Sequence, residues 1–128
     1  MKWLLCLLLA LPACKPAPNP ERAFVLYDIA WTCGQRDSLT PLPYDWQRYR
    51  NKLVGFEEVP QREALFQGGY DDGFTQHPEE PISDQVKDYD RDFRRGRVDA
   101  WAKKPAEESS AGYVDGLQGK PHAHGRRY

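Results

Sequence analysis

The chain has 128 residues, 18 Lys and Arg against 19 Asp and Glu, a formal net charge of −1, and 40% apolar residues. That length allows one modest core and excludes two. Near-neutral charge, with both signs interleaved along the chain, argues against a polyanion-binding protein and reads as a solvated surface.

The first element is a leader. Met1 and Lys2 precede "WLLCLLLAL", Trp3 to Leu11, followed by Pro12, Ala13 and Cys14. The run is too short to span a hydrocarbon core, which takes roughly 20 residues, and suits the apolar region of an export signal. Ordinary signal peptidase requires small residues at the first and third positions before its cut. A cut after Ala13 puts Leu11 at the third position, and a cut after Ala17 is followed at once by Pro18. "LPAC" instead resembles the lipobox of bacterial lipoproteins, with Leu11 three before the cut, small Ala13 one before it, and Cys14 after it. The resemblance covers the leader alone, and Pro12 departs from the small or β-branched residue usual there. It implies that Cys14 becomes an acylated first residue and, with Lys15 in place of Asp, that the protein is sorted to the outer membrane facing the periplasm. Each buried methylene is worth roughly 0.8 kcal/mol and one chain holds only marginally, so several acyl chains on one residue hold firmly.

Cleavage there removes only Lys2 from the charges, leaving 17 Lys and Arg against 19 Asp and Glu, a net −2. Cys6 leaves with the leader and Cys14 takes the lipid, so Cys33 remains alone. An unpaired thiol outside the cytoplasm is either buried or available for a disulfide dimer. Without the lipid, Cys14 and Cys33 become a candidate disulfide. No nucleophile signature surrounds "WTCGQ".

"KPAPNP" (15–20) reads as an extended spacer. The organisation expected is a signal peptide at 1–13, the lipidated Cys and Pro-rich linker at 14–20, a helical domain at 21–120 and a flexible tail at 121–128. Asn19, Pro20 and Glu21 form a helix start: a capping side chain, a proline at the first helical position and a carboxylate at the positive end of the dipole. That helix is expected to run to about Cys33 and stop at Gly34, with Phe24, Tyr27 and Trp31 on its apolar stripe; a strand through "AFVLYDI" is the alternative. "GQRDSLTPLP" reads as a loop. Asp45 caps a second helix with the stripe Trp46, Tyr49, Leu53 and Phe56, broken by "EEVP". Three further helical segments are separated by "TQHPEEP" and "KKPAEE". The fold class is therefore all-α, a small domain of about five short helices.

One arrangement recurs along these last segments. Phe66, Tyr70 and Gly73 are spaced four then three, as are Tyr89, Phe93 and Gly96, and Ser109, Tyr113 and Gly116. Each glycine falls on the helical face of the aromatic residue three before it, a degenerate repeat of one helix per unit. The middle copy extends into a heptad stripe of Ile82, Val86, Tyr89, Phe93, Gly96 and Ala100. A glycine inside a helix costs about 1 kcal/mol against alanine, so Gly96 on a buried stripe predicts close approach of a neighbouring backbone.

The basic run "DFRRGRVDAW" (92–101) is compensated on a helix by Asp90 with Arg94, Asp92 with Arg95, and Arg95 with Asp99, which argues against nucleic acid as a partner. "DYDRDFRRGRVD" places Asp88, Asp90, Asp92 and Asp99 at calcium-loop positions, but Phe93 stands where the sharp turn needs glycine. His77 precedes Pro78 in a turn, and His122 and His124 lie in the tail, too few fixed ligands for zinc. No catalytic residues, no metal and no cofactor are therefore expected. "GGYDDGF" (68–74) and "GYVDGLQGKP" (112–121) are locally similar to the Gly-Tyr-x-x-Gly segments of ribosome modulation factors and of several small lipoproteins, a match of one short stretch each time that carries no function across. The function expected is a non-enzymatic envelope module that contacts an outer-membrane protein or the cell wall. The alternatives are a phage- or plasmid-encoded lipoprotein for superinfection exclusion or lysis, and a secreted thiol-dependent enzyme built on Cys33.

Overall fold

The computed structural model describes residues 19–78 and 83–125. The leader, Cys14, spacer residues 15–18, Ile82 of the heptad stripe and the last three residues lie outside them. Among the described residues the fold is all-α, with four α-helices, one 3-10 helix and no strand. No described helix is long and apolar enough to cross a membrane.

Helix α1 spans Pro20–Leu39. Asn19 caps it by accepting from Glu21 N at 3.0 Å, with Pro20 in the first turn. "AFVLYDI" is thus helical, and the helix does not stop at Gly34. A Cβ on Gly34 would overlap the Tyr70 carbonyl and stand 2.8 Å from Phe74 N, so this glycine marks a helix crossing and not a cap. "GQRDSL" is consequently helix; the chain turns at Thr40, whose N–H and hydroxyl both reach Arg36 O at 2.9 Å.

Asp45 caps the next element by accepting from Gln47 N at 3.1 Å. That element, Trp46–Leu53, is a 3-10 helix with Tyr49 off helical geometry (φ −111, ψ 22), not an α-helix reaching Phe56. Arg48 and Tyr49 both donate to Asp37 on α1. Successive α-helical side chains diverge by about 100°, so a regular helix would have turned one of them away.

Helix α2 is Arg62–Gln76, α3 is Asp84–Trp101 and α4 is Ala111–Leu117. Ser83 starts α3 by accepting from Val86 N at 3.3 Å. Ser109 precedes α4, so the third aromatic-glycine triplet lacks a helical first member. On α3 the heptad stripe is only partly interior: Phe93 and Gly96 are buried, Val86 is half-buried and Ala100 is exposed, while Asp90, Val98 and Asp99 are buried in its place.

The helices pack as two hairpins, α1 on α2 and α3 on α4, and six glycines explain how closely. Added Cβ atoms would strike the opposite helix's backbone at Gly34, Gly69 and Gly73 in the first hairpin, and at Gly96, Gly112 and Gly116 in the second. The partners are equivalent: Gly73 lies on Trp31 O as Gly116 lies on Phe93 O, Gly34 on Tyr70 O as Gly96 on Tyr113 O, and Gly69 on Tyr27 O as Gly112 on Tyr89 O.

The repeat is therefore a hairpin and not a single helix. Tyr27, Trp31, Gly34 and Asp37 match Tyr89, Phe93, Gly96 and Asp99 at identical spacing, and Gly69-Tyr70-x-Asp72-Gly73 matches Gly112-Tyr113-x-Asp115-Gly116. Phe66, Tyr70 and Gly73 belong to the second helix of a unit, whereas Tyr89, Phe93 and Gly96 belong to the first. The equivalent rings of Trp31 and Phe93 meet edge to face at 6.4 Å between the hairpins.

Residues 121–125 are not a free tail. His122 is 2% exposed and Gly125 forms an isolated bridge with Pro78.

Candidate functional site

Among the described residues, Asp37, His77, Asp90, Asp99 and His122 are buried inside the bundle. Asp37 is fully buried and accepts from Tyr70 Oη at 2.6 Å, Arg48 Nη1 at 2.7 Å and Tyr49 Oη. Asp99, its equivalent, accepts from Tyr113 Oη at 2.6 Å. Each of those tyrosine oxygens also accepts a backbone N–H at 3.1 Å, from Asp45 and from Glu107 respectively. The first-helix tyrosines repeat the scheme: Tyr27 donates to Asp72 at 2.6 Å and Tyr89 donates to Asp115. Burial, then the adjoining carboxylate, pushes the Tyr27 and Tyr113 hydroxyls up and carries Tyr89 to about 12.

His122 joins the hairpins. Its N–H donates to Gln76 Oε1 on α2 at 2.7 Å, and its ring packs 4.7 Å from Phe93 and 6.2 Å from Trp31 between ring centroids. The backbone N–H of His124 donates to His122 Nδ1 at 3.1 Å, which leaves Nε2 to carry the ring proton toward Asp90 Oδ1 at 2.9 Å. Both ring nitrogens are thus occupied, and neither is presented to a substrate. Arg94 bridges Asp90 to Asp28 of α1 and stacks over Trp31 at 5.1 Å.

Two expectations, for His122 and Asp99, are corrected by these contacts, and His77 is also interior. His122 is interior and not surface tail. His77 is 1% exposed, with Nε2 3.3 Å from Ser38 Oγ. Asp99 is buried against Tyr113 and not paired with Arg95, which meets Glu21 at 3.0 Å. The Asp90–Arg94 pair is present. Asp88, Asp90, Asp92 and Asp99 stand on one continuous helix, so they form no calcium loop. Among the described residues, no three His, Cys, Asp or Glu are arranged to hold a metal.

Cys33 is 2% exposed, and Arg36 Nη2 approaches its sulfur at 3.7 Å. Burial outweighs that cation and pushes the thiol up, which keeps it protonated and weakly nucleophilic. A disulfide to a second chain would require α1 to open.

Among the described residues, one open recess is a groove of about 270 Å³ between the start of α1 and the end of α3, lined by Ala23, Glu58, Val59, Pro60, Trp101 and Ala102. Arg22 and Lys104 flank it with their stems; Arg22 pairs with Glu58 at 2.8 Å and Lys104 with Glu107 at 3.1 Å, leaving the walls apolar. Asn19, the N-cap of α1, stands at its edge. A second recess shares Pro60, Trp101 and Ala102 with the groove and is lined also by Gln61 and Lys103, both in left-handed backbone (φ 52 and 57). The buried Trp101 Nε1 has no acceptor among the described residues.

Sequence reasoning missed this groove. Its walls come from three segments far apart in the chain, and only Trp101, a large aromatic at a helix end, hints at it. The residues singled out from sequence are structural in placement: Phe66, Tyr70, Phe93 and Tyr113 are buried, Tyr89 is half-buried, and Gly73, Gly96 and Gly116 lie at helix crossings. Cys14 lies outside the described residues. No family model, curated protein or solved structure matches the chain.

Proposed function

We propose that the protein is a lipid-anchored module of the bacterial cell envelope, held by acyl chains on Cys14 at the outer membrane facing the periplasm, and that it acts by binding and not by catalysis. The observation that carries this reading is the commitment of its reactive side chains. Cys33, His122, Asp37, Asp90 and Asp99 are buried and engaged by neighbouring side chains, whereas an apolar groove lies open at the surface. The lipobox-like "LPAC" behind its apolar run supports the anchor. The groove supports a hydrophobic contact, because apolar walls with few polar groups bind by burial. A partner in an outer-membrane protein or the cell wall fits this placement.

The test is an intact-mass measurement on the chain recovered from membranes. A mature chain starting at acylated Cys14 is expected, with a Cys14→Ser variant released from the membrane; an unmodified chain in the cytosol with its leader retained overturns the reading. Crosslinking in cells then identifies the partner. The thiol-enzyme alternative requires an accessible Cys33, and the folded protein is expected to leave Cys33 unlabelled by a thiol-reactive probe.

A further inference from the structure

We infer that the groove between α1 and α3 holds one acyl chain of lipidated Cys14; this rests on the lipid-anchor reading above. The first described residue, Asn19, stands at the groove's edge, and Cys14 is five positions upstream. Five extended residues reach at most about 17 Å, so Cys14 is leashed within that distance of the groove's edge.

The chemistry of the walls suits a hydrocarbon. Ala23, Val59, Pro60, Trp101 and Ala102 supply apolar surface, and the two flanking cations are neutralised, Arg22 by Glu58, which also lines the groove, and Lys104 by Glu107. About 270 Å³ is room for roughly nine water- or methylene-sized units at about 30 Å³ each, part of one acyl chain and not a phospholipid.

The direction of the exchange follows from what each surface faces otherwise. A chain leaving the bilayer trades one apolar setting for another, at little cost. The groove walls trade water for hydrocarbon, which is favourable. Tethering raises the local concentration of this particular chain above that of any free lipid. The remaining chains on Cys14 keep the anchor, so the seated chain clamps the α1 start and the α3 end against the membrane.

The experiment uses the full mature protein carrying a diazirine-bearing fatty acid on Cys14, placed in unlabelled phosphatidylethanolamine and phosphatidylglycerol vesicles and irradiated. Intramolecular crosslinks are expected at residues 58–60 and 101–104. Crosslinks to vesicle lipid alone, on a chain whose mass proves Cys14 acylated, overturn this inference and leave the anchor intact. An unmodified Cys14 overturns both, and the mass distinguishes the two failures. Ala102→Trp, at an exposed wall position, is expected to cut the crosslink yield at 58–60 at least fivefold without lowering the melting temperature; undiminished yield overturns the assignment. In a reciprocal arm with the diazirine on the vesicle phospholipid instead, labelling of the same peptides overturns it in favour of a bilayer lipid.

Discussion

A glycine's worth in this molecule is set by what lies a bond length from its Cα. Gly68 and Gly69 are chain neighbours on α2, yet nothing lies within 4 Å of a Cβ on Gly68, while one on Gly69 would stand 2.7 Å from Tyr27 O. Gly68→Ala is therefore expected to raise stability by about 0.5 to 1 kcal/mol, because alanine costs less backbone entropy in a helix. Gly96→Ala has the same propensity gain, but its Cβ meets the Tyr113 carbonyl and Leu117 N, backbone atoms of α4 that cannot rotate aside. It is expected to lower stability by about 1 to 3 kcal/mol, as overpacked cores do. Thermal unfolding of the two variants checks the pair: shifts of the same sign would contradict the crossing geometry. His122 is the other decisive residue. His122→Ala opens a cavity between Trp31, Tyr89 and Phe93 and strips Asp90 of one donor. A loss of about 3 kcal/mol is expected, with faster amide exchange in residues 121–125 than elsewhere.

At the scale of helices, local chemistry in the sequence located the starts at Asn19 and Asp45, and tertiary contact moved the end of α1. Asn19, Asp45 and Ser83 cap as their side chains allow, because a cap is settled within three residues. Gly34 reads as a terminator by composition and is helical because α2 comes close enough to need it. Likewise the aromatic-glycine spacing was legible, but its division into first and second helices of a hairpin was not, since the signal that separates them is pairing across the loop. The duplicated hairpins offer a controlled comparison. Asp37 receives Tyr70, Tyr49 and Arg48, whereas Asp99 receives Tyr113 in the equivalent position. Removing the charge at the first site weakens three bonds to a fully buried carboxylate, one of them from the exposed cation Arg48, against the Tyr113 bond at the second. Asp37→Asn is therefore expected to destabilise more than Asp99→Asn, measured by denaturant unfolding of both; equal losses would mean that Arg48 contributes nothing.

For the whole molecule, the tyrosine–carboxylate pairs couple folding to alkaline pH. Tyr27, Tyr70, Tyr89 and Tyr113 all have hydroxyls pushed upward, first by burial and then by the carboxylate each one faces. In the unfolded chain a tyrosine loses its proton near pH 10. Between there and the folded value, about 12 for Tyr89, the unfolded chain has released a proton that the folded one still holds. The unfolded state then binds fewer protons, so stability is fully present below about pH 10 and falls as pH rises through the folded values. Buried Cys33 acts in the same direction and starts lower, because its thiol is also pushed up from an ordinary value of about 8.5. With linked tyrosines in both hairpins, the decline should be steep and should unfold the two together, since His122 and Arg94 bind one to the other. Melting temperatures across pH 8 to 12 test this. Tyr89→Phe removes one linked proton and should flatten the upper part of the curve while leaving its onset in place. A curve flat to pH 12 would mean that the hydroxyls ionise equally well folded and unfolded, and the buried tyrosine–aspartate pairs could not then be what closes the bundle.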